Sequence, residues 1–229
     1  MFSRIIKTIL GLILLPVAIG TAKAFYGAIM NMGLDSNLFH LFERGVLIYL
    51  LFHIFVARPV YLYVLGHEFT HVLATWLSGG TVVEFNVTPR GGSVVTSKTN
   101  FFIELSPYFV PVYTLLLGPI FWILKTLGKA PPFMPSIFVF LVGITLAFHF
   151  VMTSDALRLR QSDVGKSGII FSLVLILIGN LIVVMAVFCP FFSDLSFMVF
   201  IKSAIADSCE IYNGIYAKIL ETTGYAKSA

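Results

Sequence analysis

The sequence predicts an all-α polytopic membrane protein of about six transmembrane helices, with a β-hairpin inserted after the third. Three observations carry this. Of 229 residues, 58% are hydrophobic and 11% charged, with mean hydropathy +0.96, whereas soluble domains average about 25% charged residues. Apolar runs of about 20 residues, the length that crosses a hydrocarbon core, recur along the chain. One of them, Pro59 to Ser78, is followed by Gly79-Gly80 and then by two β-branched stretches around a Pro/Gly turn.

Taken in order, the first span runs from Ile5 to Met30, interrupted by Gly11, Pro16 and Gly20. The run continues past Lys23 with no small-residue cleavage site, so it reads as a retained helix and not a signal peptide. A polar connection, Met32 to Asn37, leads to a second span, Leu38 to Val56, with Glu43 and Arg44 as an internal pair. Ala57-Arg58-Pro59 breaks that helix, because proline lacks a donor and restricts its predecessor. The third span is Pro59 to Ser78. Thr81–Thr88 and Ser93–Thr96, flanking Pro89-Arg90-Gly91-Gly92, form the hairpin. A fourth span, Leu105 to Leu124, contains Pro107, Pro111 and Pro119. A fifth, Met134 to Met152, continues as a polar helix to Arg160. Gln161 to Gly165 is a turn, and a sixth span covers Lys166 to Phe188. Beyond Pro190 the tail reads as helix near the membrane interface. The chain thus divides into two N-terminal helices (1–58), a membrane core (59–190) and an interfacial helical tail (191–229).

Charge excludes one class of partner. The formal charge of +4 comes from lysines and arginines scattered between apolar runs, with no basic block, so there is no case for nucleic acid. The partners implied are the lipid bilayer and whatever the core acts on; oligomeric state is left open. Cys189 and Cys209 have no metal-ligand spacing and make no disulfide framework.

The third span carries the chemistry. In Gly66-His67-Glu68-Phe69-Thr70-His71, the two histidines are four apart and share a helix face, so both can hold one metal ion. Glu68 follows the first and can reach a water held there. This is the HExxH arrangement of zinc hydrolases, with the glutamate as general base. The bland alternative is a pair of hydrogen-bonded core histidines. In hydrocarbon, however, three ionisable groups within five residues are costly and usually functional. His67 would lie about eight residues into the span, roughly 12 Å along the helix.

A catalytic zinc takes three protein ligands and keeps one position for water. Asp163, just ahead of an apolar span, is the first candidate for the third. Asp155 is an alternative that can instead pair with Arg158 or Arg160, and His149, within the fifth span, is another. His53 and His40 are weaker candidates. A further oxyanion donor would come from a polar residue such as Asn86, Asn100 or Asn180.

These features resemble the site-2 protease family of intramembrane zinc metallopeptidases. The resemblance rests on the His67–His71 segment in a span, the Gly-rich hairpin after it, the proline-containing span and an aspartate opening a later one. It covers about Tyr61 to Asn180. The family's aspartate sits in a Leu-Asp-Gly motif, where this chain has Ser162-Asp163-Val164-Gly165. The resemblance implies a zinc endopeptidase that cuts other proteins in or near their transmembrane segments, with the hairpin on the cytosolic side. The plasma (inner) membrane of a prokaryote is the simplest location.

Rival classes fare less well. Di-iron membrane oxygenases need around eight histidines, and the chain has five. Membrane HExxH proteases with a glutamate as third ligand would need one in a later span, and Glu84, Glu104, Glu210 and Glu221 all lie outside the expected spans. The non-enzyme alternative is a scaffold or transporter with a structural or vestigial metal site; the chain shows no inverted repeat to support transport.

Overall fold

The computed structural model describes residues 2–32, 36–159 and 162–223. Contacts divide the chain into two compact units, Gly33–Ile169 and Met1–Met32 with Ile170–Ala229.

The second of these units is built on α1 (Phe2–Met30), which stays one helix through Gly11, Pro16 and Gly20 instead of being interrupted there. It runs antiparallel to α9 (Phe197–Thr223), a far longer helix than the short apolar stretch of the tail suggested. Gly20 sits against the backbone of Ser208, and Lys23 reaches Asp207 at 2.8 Å and Glu210 at 3.0 Å. These ion pairs are solvent-exposed and contribute little to stability; the close glycine contact sets the helix spacing. α8 (Ile169–Phe188) approaches α1 where Gly11 meets the Phe171 backbone.

The unit Gly33–Ile169 holds the HExxH segment. α2 (Asn37–Phe55) opens on Ser36, whose hydroxyl accepts from the Phe39 N–H. It lies along α6 (Met134–Arg158) with residue numbers rising together. Gly45 meets the Phe140 carbonyl and Gly143 the Phe42 carbonyl, Tyr49 packs edge-on to Phe148, and His53 faces Asp155. The two helices are therefore parallel, and paired glycines let their backbones touch. α5 (Val112–Thr126) packs on α6 in the opposite sense. Thr114 donates to Thr145 at 2.9 Å, and the Phe121 ring lies 4.9 Å from that of Phe138. Glu43 meets His40 at 3.0 Å, not Arg44, because adjacent residues on a helix point apart.

These registers constrain the chain between them. α5 starts beside Phe148 and α2 ends beside Asp155, both in the C-terminal half of α6, so residues 56–111 leave the α2–α6–α5 layer and rejoin it in that half. That excursion contains α3 (Val60–Leu77), the hairpin and α4 (Phe101–Leu105) with the 3-10 turn Ser106–Tyr108. α3 ends in a Schellman motif: Gly79, at φ +68°, donates to Trp76 and Gly80 donates to Thr75. β1 (Val82–Thr88) pairs antiparallel with β2 (Gly91–Thr96) around Pro89-Arg90, with a bulge between Val82 and Glu84. The chain then turns back along α3, so that Ile103 lies by His71, Tyr108 by His67 and Tyr113 by Leu62.

Four helices are long and apolar enough to cross a membrane: Ile5–Met30, Asn37–Phe55, Met134–Arg158 and Ile169–Phe188. They become five if Phe101–Tyr108 and Val112–Thr126, bent by 80°, form one broken span. α3 is not among them, because its histidines, glutamate and threonines dilute the apolar run. The expected fourth helix is broken because Pro107 and Pro111 lack donors at the bend. The expected turn at Gln161–Gly165 is largely a short helix, α7 (Ser162–Ser167), parted from α8 by Gly168 at φ +86°. Arg160 and Gln161, including the proposed Asp155–Arg160 pair, lie outside the described residues.

The glycine crossing has a measurable consequence. Gly143→Val forces a side chain into the Phe42 carbonyl, and overpacking of this kind costs about 1–3 kcal/mol. Thermal unfolding in detergent should show a drop of several degrees; an unchanged midpoint would contradict the close α2–α6 approach.

Candidate metal centre

His67 and His71 are one helical turn apart on α3, and their ring centroids are 4.9 Å apart. Asp163 comes from α7, and its Oδ2 lies 3.9 Å from His67 Nε2 and 3.7 Å from His71 Nε2. One ligand atom from each of the three lies within 4.8 Å of the others. Tetrahedral zinc with bonds of about 2.0–2.1 Å separates its ligand atoms by roughly 3.3 Å. The two Asp163 distances exceed that by about 0.4–0.6 Å, and all three ligand atoms lie within 4.8 Å of one another, so small side-chain rotations would bring the three residues onto a single divalent ion.

The surroundings orient these ligands. His71 Nδ1 donates to the Ile103 carbonyl at 2.7 Å, which fixes the tautomer and leaves Nε2 to face Asp163. His67 Nδ1 is buried with no hydrogen-bond partner among the described residues, and its ring is held by aromatic neighbours. Tyr63 packs 5.7 Å away, and Tyr108 packs edge-on at 5.2 Å. Tyr108 is fully buried, and its hydroxyl donates to Asp163 Oδ2 at 3.5 Å. Lys166 stands 3.4 Å from Asp163 Oδ1. Burial alone would raise the Asp163 carboxyl, but the facing His67 and His71 rings and the Lys166 charge outweigh it. The group is held well below the usual carboxylate range, so the Asp163 side chain is an anion.

The ligands open on a cavity of about 530 Å³. α3 lines it with His67, Glu68 and His71, the hairpin with Arg90 to Val94 and Thr96, α4 with Glu104, and α7 with Asp163 and Lys166. Glu68 is 8% exposed, and its carboxylate accepts no hydrogen bond among the described residues. The hairpin closes over it at Gly92, where a Cβ would stand 2.5 Å from Glu68 Cγ and 2.9 Å from Val64 Cγ1. Glycine is required there by space. The outer edge of β2 has no partner strand among the described residues.

The two alternative third ligands lie elsewhere. Asp155 faces His53 at 3.8 Å and Arg158 at 3.8 Å. His149 is buried on α6 beside Phe150 and shares a small cavity of about 20 Å³ with His67, outside the ligand cluster. Neither joins the group: Asp155 is engaged by His53 and Arg158, and His149 lines the smaller cavity with His67, whereas Asp163 lines the larger one. His40 pairs with Glu43, and His53 with Tyr49. None of the expected oxyanion donors sits on the cavity wall. Asn100 caps α4 by accepting from the Ile103 N–H, Asn180 donates to the Ile176 carbonyl, and Asn86 is on β1. Of the supporting residues, Ile103, Tyr108 and Ser167 were not singled out from sequence, and Glu104 was weighed only as a third ligand and set aside. Glu104, an acid between Phe102-Ile103 and Leu105, carried the one available signal, an ionisable group in apolar surroundings.

No protein-family model, curated protein or solved structure matches the chain.

If Tyr108 holds Asp163 in place, Tyr108→Phe keeps the ring against His67 and loses only the hydroxyl. Divalent-metal affinity, read by cobalt(II) titration, should then fall about tenfold or more. Wild-type affinity in this variant would show that the hydroxyl does not support the ligand.

Proposed function

We propose that the chain is a zinc-dependent intramembrane endopeptidase of the site-2 protease type, hydrolysing peptide bonds in or near transmembrane segments of membrane proteins. The observation that carries this reading is the convergence of His67, His71 and Asp163 on one wall of a polar cavity, with Glu68 beside them. A structural zinc is closed by four protein ligands, whereas a catalytic one keeps an open position. Three ligands facing a cavity support the catalytic case over a scaffold with a structural or vestigial site. The helices long and apolar enough to cross a membrane support a multi-pass integral protein, and the plasma membrane of a prokaryote is the location we assign.

Zinc held by His67, His71 and Asp163 would supply a Lewis acid and a water acidified toward about pH 7. Glu68, beside the two histidines, would act as general base, taking a proton from the attacking water as the water oxygen adds to the scissile carbonyl carbon. As the C–N bond breaks, Glu68 returns the proton to the leaving amine. Asp163 and the Ile103-bound His71 keep the ligand face aimed at the cavity throughout. A helical substrate offers no accessible peptide bond, so the substrate must enter extended. The unpaired edge of β2, which lines the cavity, can pair with such a strand and lay it across Glu68.

Glu68→Gln should bind zinc as the wild type does and lose about 10²–10⁴ in turnover of a membrane-embedded reporter in liposomes. Cleavage by this variant at the wild-type rate would remove Glu68 as the base. Gly92→Val should likewise keep metal and lose turnover, because its side chain occupies the space of the Glu68 carboxylate arm; an active valine variant would contradict that placement.

A further inference from the structure

We propose that Glu104 is a positioning residue of the metal centre, clamping Ser167 so that Asp163 on the same short helix reaches the two histidines. The inference rests on the metal-site reading above. Asp163 is far from α3 in sequence and has to be delivered by α7, a helix of six residues. α7 packs against α4. There the fully buried Ser167 hydroxyl donates to Glu104 Oε2. Asp163 and Ser167 are four residues apart, one turn along the same face, so a clamp on one sets the direction of the other.

The carboxylate is itself held. Its second oxygen, Oε1, accepts from the Thr99 hydroxyl at 3.2 Å, and the Asn100 side chain caps the helix that carries it. With both oxygens engaged by hydroxyls and outside the ligand cluster, Glu104 is a support and not a fourth ligand. The residue before it, Ile103, presents the carbonyl that fixes His71. Two consecutive residues of α4 thereby align ligands from two different elements, His71 on α3 and Asp163 on α7.

The test is zinc and cobalt(II) affinity, by chelator competition, of the full-length protein in detergent. The proteins compared are the wild type, Glu104→Ala, Glu104→Gln, Asp163→Ala and the double variant Glu104→Ala/Asp163→Ala. Glu104→Ala should weaken metal binding about 10–100-fold, the range for loss of an outer support. Glu104→Gln keeps a carbonyl oxygen for Ser167 and should restore most of the affinity and the cobalt absorption spectrum. In the Asp163→Ala background the alanine should have no further effect, since the two act through one ligand. Wild-type affinity in Glu104→Ala, or an equal loss with Asp163 already removed, would overturn the proposal while leaving the metal site standing. A wild-type protein that binds no metal would instead overturn the site, and the clamp with it. Should Glu104→Ala fail to fold, Ser167→Ala carries the same comparison, with the same dependence on Asp163 expected.

Discussion

Ionisable side chains in an apolar chain have to find one another, and the core of this protein is arranged to let them. His67, Glu68, His71 and Asp163 bring two imidazoles and two carboxylates into one place, where an isolated buried charge would cost several kcal/mol. The pairing of the histidine faces with Asp163 is the contact on which the rest depends. It requires α7 to meet α3, and nothing local to either helix ensures that. α4 and the 3-10 turn behind it supply the connection, with the Ile103 carbonyl on His71, Glu104 on Ser167, and Tyr108 between His67 and Asp163.

The path of the backbone serves the same end. Parallel packing of α2 and α6 with antiparallel packing of α5 makes residues 56–111 an excursion that starts and finishes beside the C-terminal half of α6. α3, which carries His67, Glu68 and His71, presents polar residues on a cavity wall. The hairpin, anchored where Gly92 meets Glu68, forms the facing wall and leaves one strand edge open. On the proposed function, that open edge and the cavity beside Glu68 are where an extended chain would meet the site.

How far the sequence reveals this depends on the range of each interaction. The His67–Glu68–His71 face follows from helical period alone, and the hairpin from β-branched runs around Pro89 to Gly92. Asp163 was legible as a candidate because a carboxylate stood before an apolar run, but its choice over Asp155 and His149 needed the turn from α6 into α7. The supports were not legible. His71 and Ile103 are 32 residues apart, Tyr108 and Asp163 are 55, and Glu104 and Ser167 are 63. The parallel run of α2 beside α6 was not legible either, because the Gly45 and Gly143 contacts that bring the two helices together are long-range.

The most direct test is metal content, by elemental mass spectrometry, of purified wild type and the Asp163→Ala, Asp155→Ala and His149→Ala variants. The account predicts about one zinc per chain in the wild type and in the last two, with loss in Asp163→Ala alone. Metal retained without Asp163, or lost with Asp155 or His149, would contradict it.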